Sequence, residues 1–352
     1  MKICYFGSYN REYPRNRILI KGLRQNGVDV VERQNASAFW LRCLKLFRKY
    51  LQTENHDIII VGAMGHANVP LAKILSLHRK KIIFDPFISL YDTAVFDRKE
   101  VEKDSIKAKY YYYLDKISCE ISDIVITDTL QHAKYFSKEF GIPLEKMRVI
   151  YIGADDDVFY PKEVKGQNNS KFIVEFHGSF VPLQGVQYIV EAAKILEKEN
   201  VIFKIIGKGQ TYEDVLKMSK KLNVKNVLFL GWVNYNKIPD YIAESDVCLG
   251  IFGDTEKAKR VIPNKAFEIL AMKKPLITGD SPAVREVLIN RKSALLCEMA
   301  NPASLAEAIM TLMDDRDLRN SIADEGYKLF KEKFTPKKLG ARLKRVVEEC
   351  VK

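Results

Sequence analysis

Several common patterns are missing from this sequence, and each absence removes a class of protein. No apolar run approaches the roughly 18 residues that a transmembrane helix needs, so we expect no membrane span. The six cysteines are scattered, with no close pair of the kind that binds zinc or exchanges disulfides. We therefore expect reduced, buried thiols and, because no signal-peptide pattern precedes the first strand, a cytoplasmic protein.

Motifs for metal and cofactor chemistry are also missing. The sequence has no His-x-x-x-His, Asp-x-Asp or Cys/His cluster at ligand spacing, so we expect no metal. It has neither a P-loop nor a G-x-S-x-G nucleophile elbow. The first strand ends in one glycine, Gly7, and not in G-x-G-x-x-G, which argues against a dinucleotide. We expect no cofactor.

Acidic residues are in deficit. The chain has 57 Lys and Arg against 45 Asp and Glu, which gives a formal net charge of +12. This excess predicts an anionic partner such as a nucleoside diphosphate, lipid head groups or nucleic acid. A strand platform that interleaves aromatic and basic side chains would favour nucleic acid, and none is visible. We therefore expect no nucleic-acid partner.

What the sequence does contain is an alternation of apolar strands with helices, repeated on either side of a polar segment at 153–170. Strands are expected at 2–8, 28–32, 57–63, 81–84, 123–128, 147–152, 172–176, 201–206, 227–230, 247–252, 276–278 and 294–297. Helices are expected at 16–26, 36–52, 69–77, 99–121, 130–140, 265–272, 301–313, 318–330 and 336–351. This order predicts two Rossmann-like α/β domains, 1–160 and 161–335, followed by a last helix, 336–352.

The predicted helix at 36–52 is amphipathic and contains no acid. Its apolar stripe and its basic residues are Trp40, Leu44, Phe47 and Leu51, and Arg42, Lys45, Arg48 and Lys49. Such a pattern is typical of a helix that packs its stripe on a sheet and also of one that lies on an anionic membrane surface. The sequence leaves both arrangements open.

The stretch from Val261 to Glu286 contains the densest motif. Asn264 is a natural N-cap for the helix at 265–272, which is almost wholly apolar around Glu268. The turn at 279–282 is expected to lead into another helix. A carboxylate and a helix N-terminus at the carboxyl ends of parallel strands mark the nucleotide site of α/β folds. Taken alone, Glu268 also fits a residue that complements the helix dipole.

This stretch, P-N-K-A-F-E-I-L-A at 263–271, resembles the nucleotide-sugar motif P-N-K-x-F-E-x-L-A of the family-4 (group 1) retaining glycosyltransferases. The resemblance extends along nearly the whole chain. It implies the α/β fold called GT-B, with two Rossmann-like doubly wound domains, a cleft between them, and a C-terminal helix that crosses back to the first domain.

The same resemblance implies a metal-independent enzyme that moves a sugar from a nucleoside diphosphate sugar to a hydroxyl acceptor. The first domain would bind the acceptor, and the second would bind the donor. The expected acceptor is a glycan or a lipid-linked precursor of a surface polysaccharide. That would place the enzyme in the cytoplasm or on the inner face of the membrane, with the helix at 36–52 facing anionic lipid.

Carried over by position, Glu268 becomes the ligand of the donor ribose. The expected donor site comprises Gly178, Ser179, Gln184, Gly207, Gly231, Trp232, Asn264, Lys265, Glu268, Asp280 and Ser281. Trp232 either stacks on the base or belongs to the core. Catalytic roles are expected for Asp85, Arg260 and Lys265, and acceptor contacts for Arg11, His66 and Asp92.

The chain departs from the family pattern at positions that carry charge. Ser179 and Gln184 stand where the family has the arginine and lysine that neutralise the donor diphosphate, and Arg260 replaces a glutamate. A leaving diphosphate needs positive charge, so we expect Arg260 and Lys265 to supply it. The alternatives are a GT-B epimerase or hydrolase, and a nonenzymatic nucleotide-sugar binding protein.

Overall fold

A computed structural model describes residues 1–53, 55–77, 79–163 and 171–351, with the backbone alone at positions 39 and 40. The chain forms two compact units, Met1–Gly153 with Thr335–Lys352, and Ala154–Phe334. The predicted linker, 153–170, begins where the first unit ends, and its positions 164–170 lie outside the described residues. Within the described ranges, no helix has the length and apolar character needed to cross a membrane.

Unit 1 is built on a parallel sheet with the strand order β2-β1-β3-β4-β5-β6. Its strands are β1 Lys2–Gly7, β2 Asp29–Gln34, β3 Ile58–Val61, β4 Lys81–Phe84, β5 Ile124–Thr127 and β6 Met147–Val149. The central strand β3 is a continuous run of β-branched residues that is buried on both faces, as parallel strands covered by helices usually are.

The helices of unit 1 are α1 Pro14–Gln25, α2 Phe39–Leu51, α3 Val69–Leu75, α4 Ile106–Ile121 and α5 Leu130–Phe140. The helix predicted at 99–121 begins later than expected, at Ile106. Residues Asp92–Asp97 form a π-helix, and Lys99 has a left-handed φ of 52°, which interrupts helical geometry. Ser105 then starts α4 as its N-cap, because its hydroxyl accepts a hydrogen bond from the N–H of Ala108.

Unit 2 repeats the plan with the strand order β12-β11-β10-β7-β8-β9. Its strands are β7 Phe172–His177, β8 Val201–Ile206, β9 Val227–Gly231, β10 Val247–Leu249, β11 Leu276–Gly279 and β12 Leu295–Cys297. Its helices are α6 Val186–Ile195, α7 Tyr212–Lys221, α8 Ile238–Ala243, α9 Asn264–Ala271, α10 Pro302–Asp314 and α11 Arg316–Lys333. The two parallel sheets confirm the predicted α/β fold class.

Two local predictions in unit 2 are wrong. Asn264 is the first residue of α9 and not its N-cap, because the extended Pro263 precedes it and the N–H of Ala266 bonds to the Pro263 carbonyl. The turn at 279–282 leads only into a short 3-10 helix, Val284–Glu286, and not into an α-helix. This helix stops because Val287 leaves helical geometry, with φ −125°.

The last helix, α12 Pro336–Val351, belongs to unit 1, as expected for a C-terminal helix that crosses back. Its backbone packs directly against the backbone of α1, with no side chain between them at the closest point. A Cβ added to Gly340 would lie 2.0 Å from the carbonyl carbon of Gly22, and one added to Gly22 would lie 2.1 Å from the Pro336 oxygen. The two backbones therefore touch at this pair of glycines.

We predict that Gly340→Ala destabilises unit 1 by about 1–3 kcal/mol, because the added methyl group overpacks this contact. At an exposed helical position the same change would stabilise the protein by up to about 1 kcal/mol. Urea unfolding measures the difference, with Lys338→Ala at an exposed position of the same helix as the control. A stability gain for Gly340→Ala would contradict the backbone contact.

Candidate functional site

Charged and polar side chains gather in unit 2 where β7 ends and α9 begins. Glu175 and His177 are alternate residues of β7 and so point to the same side of the sheet. Lys265 and Glu268 are three apart on α9 and share one helix face. All four are buried. Charges this deeply buried need partners, and the structure provides them.

His177 joins the two carboxylates. Its Nδ1 lies 2.9 Å from Glu175 Oε1, and its Nε2 lies 3.1 Å from Glu268 Oε2. The hydroxyl of Tyr235 donates to the other oxygen of Glu268 at 3.0 Å. Both oxygens of Glu268 are thus held in place, yet each can accept a further hydrogen bond, because a carboxylate oxygen has two lone-pair sites.

The charge state of His177 follows from these contacts. Burial disfavours the imidazolium ion, but the neighbouring Glu175 and Glu268 outweigh burial and raise the pKa of His177 from 6.5 to about 9. A positive His177 therefore stands between two carboxylates at neutral pH.

Lys265 lies against the loop that follows β7. Its Nζ donates to Gln184 Oε1 at 2.6 Å and lies 3.4 Å from the centroid of the Phe176 ring. A Cβ on Gly178 would come within 2.7 Å of the same Nζ. Burial lowers the pKa of Lys265 well below its ordinary value, while Glu175 and Glu268 oppose that shift. The structure thus brings together Lys265, Gly178 and Gln184.

The predicted strand-end glycines form the neighbouring wall. Gly178 and Gly207 have left-handed φ values, and a Cβ on Gly207 would lie 1.8 Å from the Gly178 oxygen. The N–H of Gly207 bonds to the carbonyl of Gly231 at 2.7 Å. Gly178 and Gly207 follow β7 and β8, and Gly231 is the last residue of β9, so their backbones lie side by side. Trp232, next in the chain, is 72% exposed, and the interpretation of Trp232 as a core residue is wrong.

The other predicted donor residues of unit 2 have local partners or are exposed. Ser179 is exposed, and Asn264 is half-buried. Asp280 forms an ion pair with Arg285. Ser281 is buried and accepts a hydrogen bond from the N–H of Val284.

Arg260 is half-buried in the turn before α9, where its N–H bonds to the carbonyl of Lys257. This residue has further interactions within the protein. Its expected role at the diphosphate stays a prediction.

In unit 1, two predicted residues are buried in the interior. Asp85 is fully buried and pairs with the equally buried Arg15 at 2.8 Å. Burial raises the pKa of Asp85, and Arg15 opposes that shift. His66 is also buried, with its Nε2 3.1 Å from Asp115 Oδ1. Asp85 and His66 each have a partner within the protein, and their expected catalytic and acceptor-binding roles stay predictions.

The other two predicted acceptor residues differ from each other. Arg11 is exposed and pairs with Glu32 at 2.5 Å. Asp92 is buried at the first position of the π-helix, and its N–H bonds to the Ser89 hydroxyl.

The sequence gave no expectation for Glu175 and Tyr235 and no separate role for His177. A signal was present in β7, whose sequence F-I-V-E-F-H places two ionisable residues at alternate positions of a buried strand. Buried charges in such a strand must be paired, which points to a polar cluster. Tyr235 carries no comparable signal.

The chain is similar in sequence to known glycosyltransferases. Residues 161–329 match the model of the family described as Glycosyl transferases group 1. An uncharacterised glycosyltransferase of Methanocaldococcus jannaschii is 23% identical, covering 99% of this chain and 89% of that protein. The capsular polysaccharide biosynthesis glycosyltransferase CapM of Staphylococcus aureus is 21% identical over 71% of this chain and 68% of its own.

Solved structures share the fold. The HepE protein of Anabaena, crystallised with UDP, has a TM-score of 0.74 at 15% identity, covering 99% of this chain and 100% of its own. Sucrose-phosphate synthase of Thermosynechococcus elongatus has a TM-score of 0.75 at 13% identity, covering 99% and 98%. These likenesses confirm the predicted GT-B type of fold.

We predict that the contribution of His177 to stability depends on pH. Because its pKa is raised in the folded protein, the stabilisation is complete below about pH 6.5 and is lost as the pH rises through about 9. The shift corresponds to about 3 kcal/mol. Chemical unfolding should therefore show a larger loss of stability for His177→Gln at pH 6 than at pH 10.

The control for this measurement is Ser179→Ala, a nearby exposed change that removes no titrating group, whose effect should not vary with pH. A constant difference between His177→Gln and the parent from pH 6 to pH 10 would rule out a charged His177.

Proposed function

We propose that this chain moves a sugar from a nucleoside diphosphate sugar to a hydroxyl acceptor with retention of anomeric configuration, because its residues 161–329 match the model of the group 1 glycosyl transferases. The observation that carries this proposal is the position of Glu268. Its carboxylate is buried, fixed by His177 and Tyr235, and close to the ends of parallel strands, where α/β folds bind nucleotides. Its remaining lone pairs suit two ribose hydroxyls.

The diphosphate would lie at the glycine loop beside Lys265. Gly178 and Gly185 allow the backbone close to a ligand, since both have positive φ values. With Ser179 and Gln184 in place of cations, Lys265 is the basic side chain in direct contact with this loop. We propose that Lys265, with Arg260 from the same segment, stabilises the leaving diphosphate without a metal ion or another cofactor.

The remaining donor contacts follow from the strand-end turns. Trp232 is exposed beside Gly231, and its flat indole would stack on the base of the nucleotide. Backbone N–H and carbonyl groups in the turns at Gly207 and Gly231 would form hydrogen bonds with that base. Asn264, Asp280 and Ser281 would bind the sugar. Asp280 pairs with Arg285, so this ion pair would either break when the sugar binds or hold the Asp280 carboxylate in the orientation that the sugar needs.

The names of related proteins suggest which substrates to test first. Structures of HepE contain UDP and UDP-glucose, so UDP-sugars are the first donors to test. CapM is named for capsular polysaccharide biosynthesis, which supports a glycan or lipid-linked acceptor bound by unit 1 near Arg11 and Asp92. Six free cysteines fit a cytoplasmic location, where thiols stay reduced.

A transfer assay tests the proposal directly. Radiolabelled UDP-sugars are incubated with lipid extracts or oligosaccharides, and the product is analysed for the anomeric configuration of the new bond. Donor turnover that needs no acceptor would instead indicate an epimerase or hydrolase. Donor binding without any turnover would indicate a nonenzymatic binding protein.

We predict that Glu268→Gln weakens donor binding at least about tenfold, because charge-assisted hydrogen bonds to the ribose are worth roughly 1.5–3 kcal/mol each. Calorimetry with UDP measures the loss, and thermal unfolding confirms that the variant is folded. The matched control is Glu307→Gln at an exposed position of α10. Unchanged affinity in Glu268→Gln would refute the assignment of the ribose ligand.

The charge of both cations can be tested by comparing two ligands. Lys265→Met and Arg260→Gln should each lower the affinity for the nucleoside diphosphate far more than for the nucleoside, because only the diphosphate carries phosphate charge. Equal losses for both ligands would show that these side chains do not face the phosphates.

A further inference from the structure

Three neighbouring helices of unit 1 expose large apolar side chains that soluble helices normally bury. These side chains are between 42% and 88% exposed, and they are Leu41, Leu44, Phe47 and Leu51 of α2, Ile74 of α3 with Leu77 just after it, and Ile106, Tyr110, Tyr113 and Ile117 of α4. We call these ten residues the apolar face. The side chain of Trp40, which the sequence placed on the same stripe, lies outside the described residues.

The spacing of these residues shows that they form stripes. In α4 they recur at intervals of four, three and four positions, which places them on one side of the helix. The opposite side carries Ala108 and Cys119, which belong to the core. In α2, Leu46 belongs to the core and Tyr50 packs against it. Of the two arrangements that the sequence left open, the one in which Leu44, Phe47 and Leu51 pack on the first sheet is therefore wrong.

The three stripes point the same way because the helices cover one side of the sheet. Leu46 of α2, Ala72 of α3 and Cys119 of α4 belong to a single hydrophobic cluster with alternate strand residues such as Phe6 and Val61. The middle helix, α3, contacts both α2 and α4. Each helix therefore faces solvent on the side away from this shared core, and the exposed stripes lie next to one another.

The charges around the apolar face are mostly positive. Its flanking basic residues are Arg42, Lys45, Arg48 and Lys49 in α2, Lys73 in α3, and Lys107, Lys109 and Lys116 in α4. The acids on these helices are Asp115 and Glu120. Asp115 is buried against Ser89, and Glu120 lies 3.8 Å from Lys116. A second copy of the chain would bring like charges together, whereas an anionic surface would complement them.

We propose that the apolar face is a docking surface for an anionic lipid bilayer. Apolar tips would enter the interface, while the lysines and arginines beside them reach the lipid phosphates. Tyr110 and Tyr113 suit this position, because a tyrosine ring combines an apolar body with a polar hydroxyl. This docking rests on the proposed function, and it would place the sugar transfer at a membrane. The lipid contact would involve α2, α3 and α4, whereas the sequence predicted it for the helix at 36–52 alone.

Sedimentation with vesicles tests the proposal without any need for catalysis. The purified chain should bind vesicles of phosphatidylglycerol and phosphatidylcholine at low salt and release them at high salt. Tyr110→Ser/Tyr113→Ser/Ile117→Ser in α4 and Leu44→Ser/Phe47→Ser in α2 should each lower the affinity at least about tenfold, because each removes apolar surface from the interface. The matched control, Ile195→Ser/Leu228→Ser, changes exposed apolar residues of unit 2 and should bind as the parent does.

Three outcomes would overturn the proposal. The first is equal binding to neutral phosphatidylcholine vesicles, and the second is unchanged binding by the α4 variant. The third is a lipid-free dimer in sedimentation velocity that the α4 variant converts to a monomer, which would make the face a protein interface. Glu268→Gln should bind vesicles as the parent does and should bind UDP more weakly. Unchanged UDP binding by this variant would contradict only the donor site, and loss of vesicle binding by the parent would contradict only the docking surface.

Discussion

The ion chain from Glu175 through His177 to Glu268 is the interaction on which the candidate site depends. It joins a strand and a helix that are far apart in sequence, and it is almost completely buried. Removing water from two carboxylates costs several kcal/mol each unless a partner compensates them, and the positive His177 compensates both. The same contacts fix the orientation of Glu268 before any ligand arrives, so little side-chain entropy remains to be lost on binding.

Beside these three ionised side chains, the backbone is packed so closely at Gly207 that no side chain fits. Gly178, Gly207 and Gly231 lie at the ends of adjacent strands, and a side chain at Gly207 would collide with the Gly178 carbonyl. Lys265 uses the space left by Gly178, so the missing Cβ also makes room for the cation.

Unit 1 uses buried charge differently. Arg15 pairs with Asp85 and donates to the carbonyls of Ile150 and Tyr151, which connects the start of α1 with the ends of β4 and β6. These buried contacts connect the carboxyl ends of the strands with one another. The outer surface of unit 1 instead carries apolar side chains among basic ones. The physical demands on the two units are therefore distinct: in unit 2 buried charge orients a carboxylate, and in unit 1 it supports the framework.

The sequence alone determined the α/β alternation, the position of every strand and the motif around Glu268, because these depend on local periodicity and on residues that are close in the chain. Helix ends were less well predicted, as at Ile106, since the left-handed backbone at Lys99 leaves no periodic signal. Only the tertiary structure decided which charges meet. His177 and Glu268 are 91 positions apart. No local pattern shows that Asp85 forms an ion pair with Arg15 or that Leu44 and Phe47 face the solvent. A helical stripe fixes which residues share a face, but the packing of the whole unit decides whether that face meets the core or the solvent.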